Sequence, residues 1–362
     1  MDIQESTKQY ESWLSTKLDI YDPDLKLKHV RMTESAFSFF RATYYRWAQL
    51  WMSACPELTK LHSVLSIGDL HLENFGTWRD LEGRLCWGVN DFDEAYPQPW
   101  AADLLRLATS SLVAIAENQL LIGSQKTCKV LLKGYRRSLL CGGKPFVLAE
   151  DNEWLRQIAT HELRDPNIFW TKLNSLSAWS DPIDSEALAL ITELLPDSSK
   201  ISHTAHRVAG LGSLGRHRWV TLANLHGARV AREAKSLAPS AYTWANETPY
   251  NSQKIYCQDL LTTAVRIPDP YMKVTGSWVG RRLSPDCSRV GVSILPRRQE
   301  TKLLESMGFE VGNIHLADQN SKMAILRELD RLPEGWLFDS AKFMLSLVNQ
   351  DFRDWRKVQK KS

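Results

Sequence analysis

The sequence predicts an α+β protein of two lobes, a mainly helical lobe first and a β-rich lobe second. Three observations carry this. Apolar and aromatic residues recur at helical spacing early in the chain, as in Phe37, Phe40, Tyr44, Trp47, Leu50 and Trp51. The character changes near residue 201, where β-rich runs surround a glycine turn. A length of 362 residues is enough for two cores. The expected division is 1–200 for the helical lobe, 201–297 for the β-rich lobe, and 298–362 for helices that return to the first lobe.

The elements follow in order. Residues 1–30 read as a helical and loop lead-in, and residues 33–55 as helical. Residues 63–67 form a short apolar strand leading into Gly68, and residues 85–89 a second one leading into Asn90. Residues 101–123 and 126–140 are helices, the second ending at a Cys-Gly-Gly-Lys-Pro break. Further helices fill residues 150–200. A strand over 206–210 precedes the glycine turn. Strands over 218–225 and 228–234 are joined at His226-Gly227. A helix ending at Thr263, candidate strands over 277–283 and 289–295, and helices from Arg298 onward complete the chain.

Composition narrows the classes of function. Hydrophobic content is 43% and charged content 24%, ordinary for a globular protein. A formal charge of +3 is too mild to make nucleic acid the main partner. The apolar run over 104–123 is broken by Arg106, Glu117 and Asn118, so it reads as a buried helix rather than a membrane span. Six scattered cysteines make no C-x-x-C pair and the first residues show no signal pattern. The expectation is a cytoplasmic protein with no membrane partner. Lys360 and Lys361 belong to an expected frayed end.

The chemistry concentrates in residues 67–108. Two acidic loops, Gly68-Asp69-Leu70-His71-Leu72-Glu73-Asn74 and Asn90-Asp91-Phe92-Asp93-Glu94, stand 22 residues apart. Asp and Asn populate turns for backbone reasons alone. That accounts for isolated residues, but poorly for the joint pattern of G-D-x-H-x-x-N, a strand, N-D-F-D, and Asp103 opening an apolar helix. Transfer of a phosphoryl group from Mg-ATP needs a carboxylate at the attacking hydroxyl, plus an amide and a second carboxylate on magnesium. Asp69 is the expected catalytic residue. Asn74 and Asp91 are the expected magnesium ligands, with Asp93 a further metal contact. His71 is expected to brace its loop, Glu73 to be peripheral, and Asp103 to cap its helix or tie the loop.

Gly210-Leu211-Gly212-Ser213-Leu214-Gly215 is a weaker signal, because a lone G-x-G-x-x-G has many sources. A dinucleotide fingerprint would need a helix after the turn. The following residues are β-rich, so a hairpin laying its N–H groups over phosphates fits better. Gly210, Gly212, Ser213 and Gly215 are the expected nucleotide contacts. The third strand carries Arg232-Glu233-Ala234-Lys235. Arg281, Arg282 and Lys273 read first as a solvated strand face.

The run GDLHLENFG…NDFDEA…DLLRLA resembles the catalytic core of aminoglycoside phosphotransferases and choline kinases, within the protein-kinase-like superfamily. It resembles still more closely, and nearly end to end, an uncharacterised bacterial family known as domain of unknown function 2252. That family's pattern includes a segment like Phe37-Phe39-Phe40-Arg41, then NFG, NDFDE, a Pro-x-Pro-Trp like Pro97-Gln98-Pro99-Trp100, a glycine loop, and a strand ending Lys-Glu-Ala.

The resemblance implies a kinase-like fold with ATP and Mg2+. The glycine loop follows the catalytic loop here by more than 100 residues, whereas kinases have it first. A circularly permuted kinase-like fold is the simplest account, and surface termini make permutation tolerable. The family's Lys-Glu-Ala aligns with Arg232-Glu233-Ala234, which makes Arg232 the expected phosphate cation. Lys235, three residues on, is expected on the opposite strand face. Asp259 is the expected substitute for the usual carboxylate partner of the lysine. The expected activity is an ATP- and Mg-dependent phosphotransferase acting on a hydroxyl acceptor, a small molecule before a protein. The alternatives are a nucleotide-binding pseudokinase, motivated by Arg232, and a metal-dependent phosphoesterase, which needs a richer His and Asp ligand set.

Overall fold

The computed structural model of the chain describes residues 1–161, 163–246, 253–290, 295 and 297–359. Its architecture is α+β, with two-, three- and five-stranded antiparallel sheets. Helix α1 (Ile3–Ser15) starts at Asp2, whose carboxylate accepts the Glu5 N–H at 2.9 Å. Helix α2 (Asp22–Arg31) has acids and Pro23 in its first turn and Lys28, His29 and Arg31 in its last, matching the helix dipole. The helical periodicity of residues 33–55 resolves into two helices, α3 (Ala36–Ala42) and α4 (Tyr44–Ala54). Thr43 separates them with φ −122° and ψ 42°, its hydroxyl donating back to the Phe39 carbonyl at 2.7 Å.

Strand β1 (Ser63–Ser66) runs into the first acidic loop. Strands β2 (Phe75–Arg79) and β3 (Leu85–Val89) form a hairpin, and β4 (Tyr96–Pro99) returns to pair with β1. Helices α5 (Ala101–Ala116) and α6 (Ser124–Cys141) follow, and α6 stops at Gly142 in the left-handed region. Strand β5 (Phe146–Val147) adds to β3, and α7 (Glu153–His161) follows it.

Helices α8 (Pro166–Asn174) and α9 (Ser185–Leu194) shift the expected lobe boundary. They belong with the five-stranded sheet that follows them, not with the helical core. That sheet contains β6 (Lys200–His206), β7 (Arg218–Leu225) and β8 (Ala228–Ser236). After α10 (Ala241–Ala245) and α11 (Cys257–Thr263) it is completed by β9 (Lys273–Thr275) and β10 (Trp278–Leu283), in the order β6-β7-β8-β10-β9. Phe169 and Leu173 of α8 pack on Val220, Leu222 and Ala231. Ala187, Leu190 and Ile191 of α9 pack on Trp219, Ala234 and Trp278. A sheet with apolar residues on both faces needs a helix on each, and α8 and α9 supply them. The strand expected at 206–210 is β6, which ends at His206, and the candidate strand at 289–295 lies mostly outside the described residues.

Helices α12 (Arg297–His315), α13 (Ser321–Arg331) and α14 (Trp336–Gln359) pack in the helical core. Helix α12 lies tightly on α6: a Cβ at Gly308 would collide with the Leu131 carbonyl. Lys360 and Lys361 lie outside the described residues. All six cysteines are free thiols, and no helix among the described residues is long and apolar enough to cross a membrane.

Candidate active site

The first acidic loop is held from beneath. Asp103, in the first turn of α5, accepts the Ile67 N–H at 2.7 Å on one oxygen and the Gly68 N–H at 2.9 Å on the other. His315 Nε2 meets the same carboxylate at 3.0 Å, and His315 Nδ1 meets the Tyr135 hydroxyl at 2.8 Å. Asp103, His315 and Tyr135 are all buried, so a helix-start carboxylate fixes the loop through a chain reaching α6 and α12. Gly68 has φ 86°, and a Cβ there would run into the Glu94 carbonyl. The two acidic loops therefore lie directly on each other.

His71 braces the loop. Its Nδ1 accepts the Glu73 N–H at 3.2 Å, while Asn74 Oδ1 accepts the His71 N–H at 2.7 Å. Burial, then the nearby Arg41 and Arg106, holds the His71 pKa well below its usual value, so the ring stays neutral. Glu73 is not peripheral: it bridges Arg41 at 2.7 Å and Arg289 at 2.5 Å.

Asp69 rests on Arg106, the one charge in the apolar run of α5. Arg106 Nη2 donates to Asp69 Oδ1 at 2.6 Å and Nε donates to the same oxygen at 3.2 Å. The guanidinium is fully buried, lies 3.6 Å from the Phe40 ring centre, and donates to the Phe40 carbonyl at 2.8 Å. Both Arg106 bonds fall on Oδ1, which leaves Oδ2 toward the cleft. Burial raises the Asp69 pKa, with Arg106 opposing it.

The second loop sets Asp91 and Asp93 around a cation. Lys235 Nζ lies 3.2 Å from Asp91 Oδ1 and 2.5 Å from Asp93 Oδ2. Burial works against ionisation of both acids. The Lys235 ammonium, with a hydrogen bond from Asp93, still carries Asp91 below the ordinary carboxylate range. Asp93 is pushed up by burial and then by the Asp91 charge, so the pair keeps a proton on Asp93 longest.

Here the structure corrects the sequence reading. Arg232 lies on the other face of β8, outside the cleft, and donates from Nε to the Leu194 carbonyl at 2.7 Å, capping the C-terminus of α9. Tyr271 covers its guanidinium at 4.3 Å. Strand alternation sends Glu233 and Lys235 the other way, and Lys235 is the cation that reaches the carboxylates. Asp259 sits on α11, paired with Lys254 at 3.3 Å, not with Lys235.

Asp69, Asn74, Asp91 and Asp93 line one cleft together with Gly210, Gly212 and Ser213. The glycine loop, residues 207–217, joins β6 to β7, and a Cβ at Gly212 would stand 3.4 Å from Asp69 Oδ2. The main-chain N–H groups of Gly210, Leu211 and Gly212 donate no hydrogen bond among the described residues. Gly215 departs from expectation: it lies behind the cleft, at φ 95° against Leu25, and its carbonyl accepts the Tyr21 N–H at 2.8 Å. Lys28 secures the loop from the same side, donating to the Gly212 carbonyl at 3.1 Å, and burial lowers its pKa to about 8.

The face of the sheet above the carboxylates is basic. Glu233 is fully buried among Arg207, Arg218 and Arg281; Arg218 Nη1 donates to it at 2.7 Å, as does Arg281 Nε. Burial alone would raise the Glu233 pKa, but these three cations hold it well below its usual value. Arg281 and Arg282, read first as a solvated face, line the cleft instead, whereas Lys273 pairs with Glu193 away from it. Glu94 takes Arg216 at 3.0 Å and the Ala241 N–H at 2.6 Å, tying the second loop to α10. Sequence reasoning missed Lys235 as the cation paired with Asp91 and Asp93, and Arg106 as the partner of Asp69. Arg106 left a readable sign, since a charge inside an apolar helix needs a partner.

Residues 22–164 match a protein family described as "Uncharacterized protein conserved in bacteria (DUF2252)". The match takes in both acidic loops and Arg106, and ends before the glycine loop and β8. No curated protein and no solved structure matches the chain.

Proposed function

We propose that the chain is an ATP- and Mg2+-dependent phosphotransferase of kinase-like, circularly permuted architecture, acting on a hydroxyl acceptor. The single observation that carries this is the convergence of Asp69, Asn74, Asp91 and Lys235 under a glycine loop with free N–H groups. Kinase chemistry uses a glycine-rich loop over the phosphates and a lysine on the third strand of the sheet. Here the loop joins the first two strands, and Lys235 is on the third in chain order, β8.

The residues fit a magnesium ion. The Lys235 ammonium stands between Asp91 and Asp93 as a cation would, and Asn74 Oδ1 keeps one lone pair after accepting the His71 N–H. Among the described residues no three His, Cys, Asp or Glu side chains gather as a metal cage. Magnesium does not need one, since it takes one or two carboxylates plus phosphate oxygens and water. Asp91, Asn74 and Asp93 would hold it, and when bound it would neutralise charge on the transferring phosphoryl group.

The chain's own residues supply the rest. The acceptor hydroxyl gives its proton to Asp69 Oδ2 as its oxygen bonds the γ-phosphorus. The bond from that phosphorus to the β–γ bridging oxygen breaks, and the nucleoside diphosphate leaves with the electron pair. Arg106 holds Asp69 in register, and the N–H groups of Gly210 to Gly212 face the phosphates. The pseudokinase alternative loses its motive, because the Arg232 departure is made good by Lys235.

Calorimetric titration of ATP, with and without magnesium, into wild type and Asp91→Ala tests this reading. Magnesium-dependent binding that disappears in Asp91→Ala is the expected result, with Asp69→Ala binding normally and transferring nothing. Absence of ATP binding in every condition overturns it.

A further inference from the structure

The cleft carries more positive charge than a nucleotide uses. Among the described residues ten cationic side chains line it against six carboxylates, an excess of four. Behind the wall Glu233 offsets Lys235, and Arg106 adds a cation under Asp69, so that excess is not reduced. A nucleoside triphosphate with one magnesium brings only about two negative charges. Roughly two positive charges remain, which is what a second dianion would neutralise.

Part of the surplus sits beside the first acidic loop. Arg41 and Arg289 share the single carboxylate of Glu73, four residues beyond Asp69, and Arg41 Nε is buried without a hydrogen-bond partner. Arg164 has no ion pair or side-chain hydrogen bond among the described residues; its guanidinium touches only the Phe169 ring, at 5.7 Å. Its main-chain N–H is anchored to Ser288 Oγ at 3.2 Å, next to Arg289. Arg164 feels the charges of Arg207, Arg281 and Arg289 together. Like charges brought together with spare donors are unfavourable unless an anion joins them, and guanidinium forks fit a phosphate best.

We propose that the acceptor is a small molecule bearing a phosphate monoester, seated on Arg164 and Arg289 beside Arg41, with its hydroxyl at Asp69. The acceptor assignment rests on the phosphotransferase reading; the anion site itself does not. Choline and aminoglycosides are cations, so this site selects the opposite charge class from the kinases that the catalytic loop resembles.

The test uses the full chain and inorganic phosphate as probe. Phosphate is titrated calorimetrically into protein saturated with magnesium and a non-hydrolysable ATP analogue, for wild type, Arg164→Ala and Arg289→Ala. Phosphate should bind the loaded protein, and each variant should weaken it about tenfold while analogue affinity stays within about twofold. Arg164 is exposed, so its variant keeps the fold, which thermal melting checks. Phosphate that competes with the analogue, or that binds both variants like wild type, overturns the proposal. Should the analogue itself fail to bind, the phosphotransferase reading falls, and phosphate is titrated into the free protein. Binding there that Arg164→Ala removes upholds the anion site, and no binding ends it. With phosphate binding in hand, transfer to sugar phosphates but not to the parent sugars is the expected specificity.

Discussion

Lys235 Nζ lies 2.5 Å from Asp93 and 3.2 Å from Asp91, joining the third strand of the five-stranded sheet to the second acidic loop. The ammonium is almost fully buried, whereas Asp91 keeps 39% of its side chain open to the cleft. One cation thus bridges the two acids while leaving one of them accessible.

Replacing Lys235 with Met removes the cation that bridges Asp91 and Asp93 and leaves two acids facing each other. ATP affinity should fall by about tenfold or more, the scale of a lost charge-assisted contact. Magnesium binding to the nucleotide-free protein should tighten, because the ammonium no longer competes for Asp91. Calorimetry with each ligand separately decides it; unchanged ATP affinity in Lys235→Met would remove Lys235 from the nucleotide site.

Arg232→Ala makes the opposite prediction on the same strand. The variant should lose about 1–2 kcal/mol of stability, the worth of a charged donor on a helix C-terminal carbonyl. ATP affinity should stay within about twofold, since the side chain lies on the far face of the sheet. Urea denaturation and nucleotide titration measure the two quantities; a large loss of ATP affinity would return Arg232 to the site.

The contrast between these neighbours shows what was legible in the sequence. Asp69, Asn74, Asp91 and Asp93 were readable because two short loops carry them at fixed spacing, and the structure brings all four to one cleft. The α+β class was readable from periodicity. The choice between Arg232 and Lys235 was not, because a motif aligned by residue order says nothing about which face of β8 meets the acidic loops. Helices α8 and α9 were assigned to the wrong lobe for a related reason: their pattern announces an apolar stripe but not the surface it covers. Lys28 acts through a distant partner, the Gly212 carbonyl, and no local signal marks it.

Arg106→Met should separate structural from chemical roles at Asp69. Removing one member of a fully buried ion pair costs about 3–5 kcal/mol, and the partial exposure of Asp69 at 19% brings the expectation to about 2–3 kcal/mol. The double variant Arg106→Met, Asp69→Asn should recover much of that loss, since no unpaired charge remains, yet stay inactive in phosphoryl transfer. A double variant no more stable than Arg106→Met alone would show that packing on Phe40, not charge, sets the cost.

Glu310 gives the chain a pH dependence of its own. It is buried on α12, accepts the Val89 N–H at 3.3 Å and the Asn313 side-chain N–H at 2.9 Å, and burial raises its pKa from 4.5 to about 7, with Arg266 opposing. A carboxyl whose folded pKa is raised binds its proton more tightly in the native state. Its stabilising contribution is therefore complete below the unfolded value and is lost as pH rises through the folded one. Wild type should lose about 3 kcal/mol from this group between roughly pH 4.5 and 7. Glu310→Gln keeps an acceptor for Val89 but cannot ionise, so its unfolding free energy should gain on wild type steadily across that window. Urea unfolding of both proteins at pH 5, 6 and 7.5 measures the difference; a constant difference would mean that Glu310 stays ionised in the fold and that Arg266 outweighs its burial.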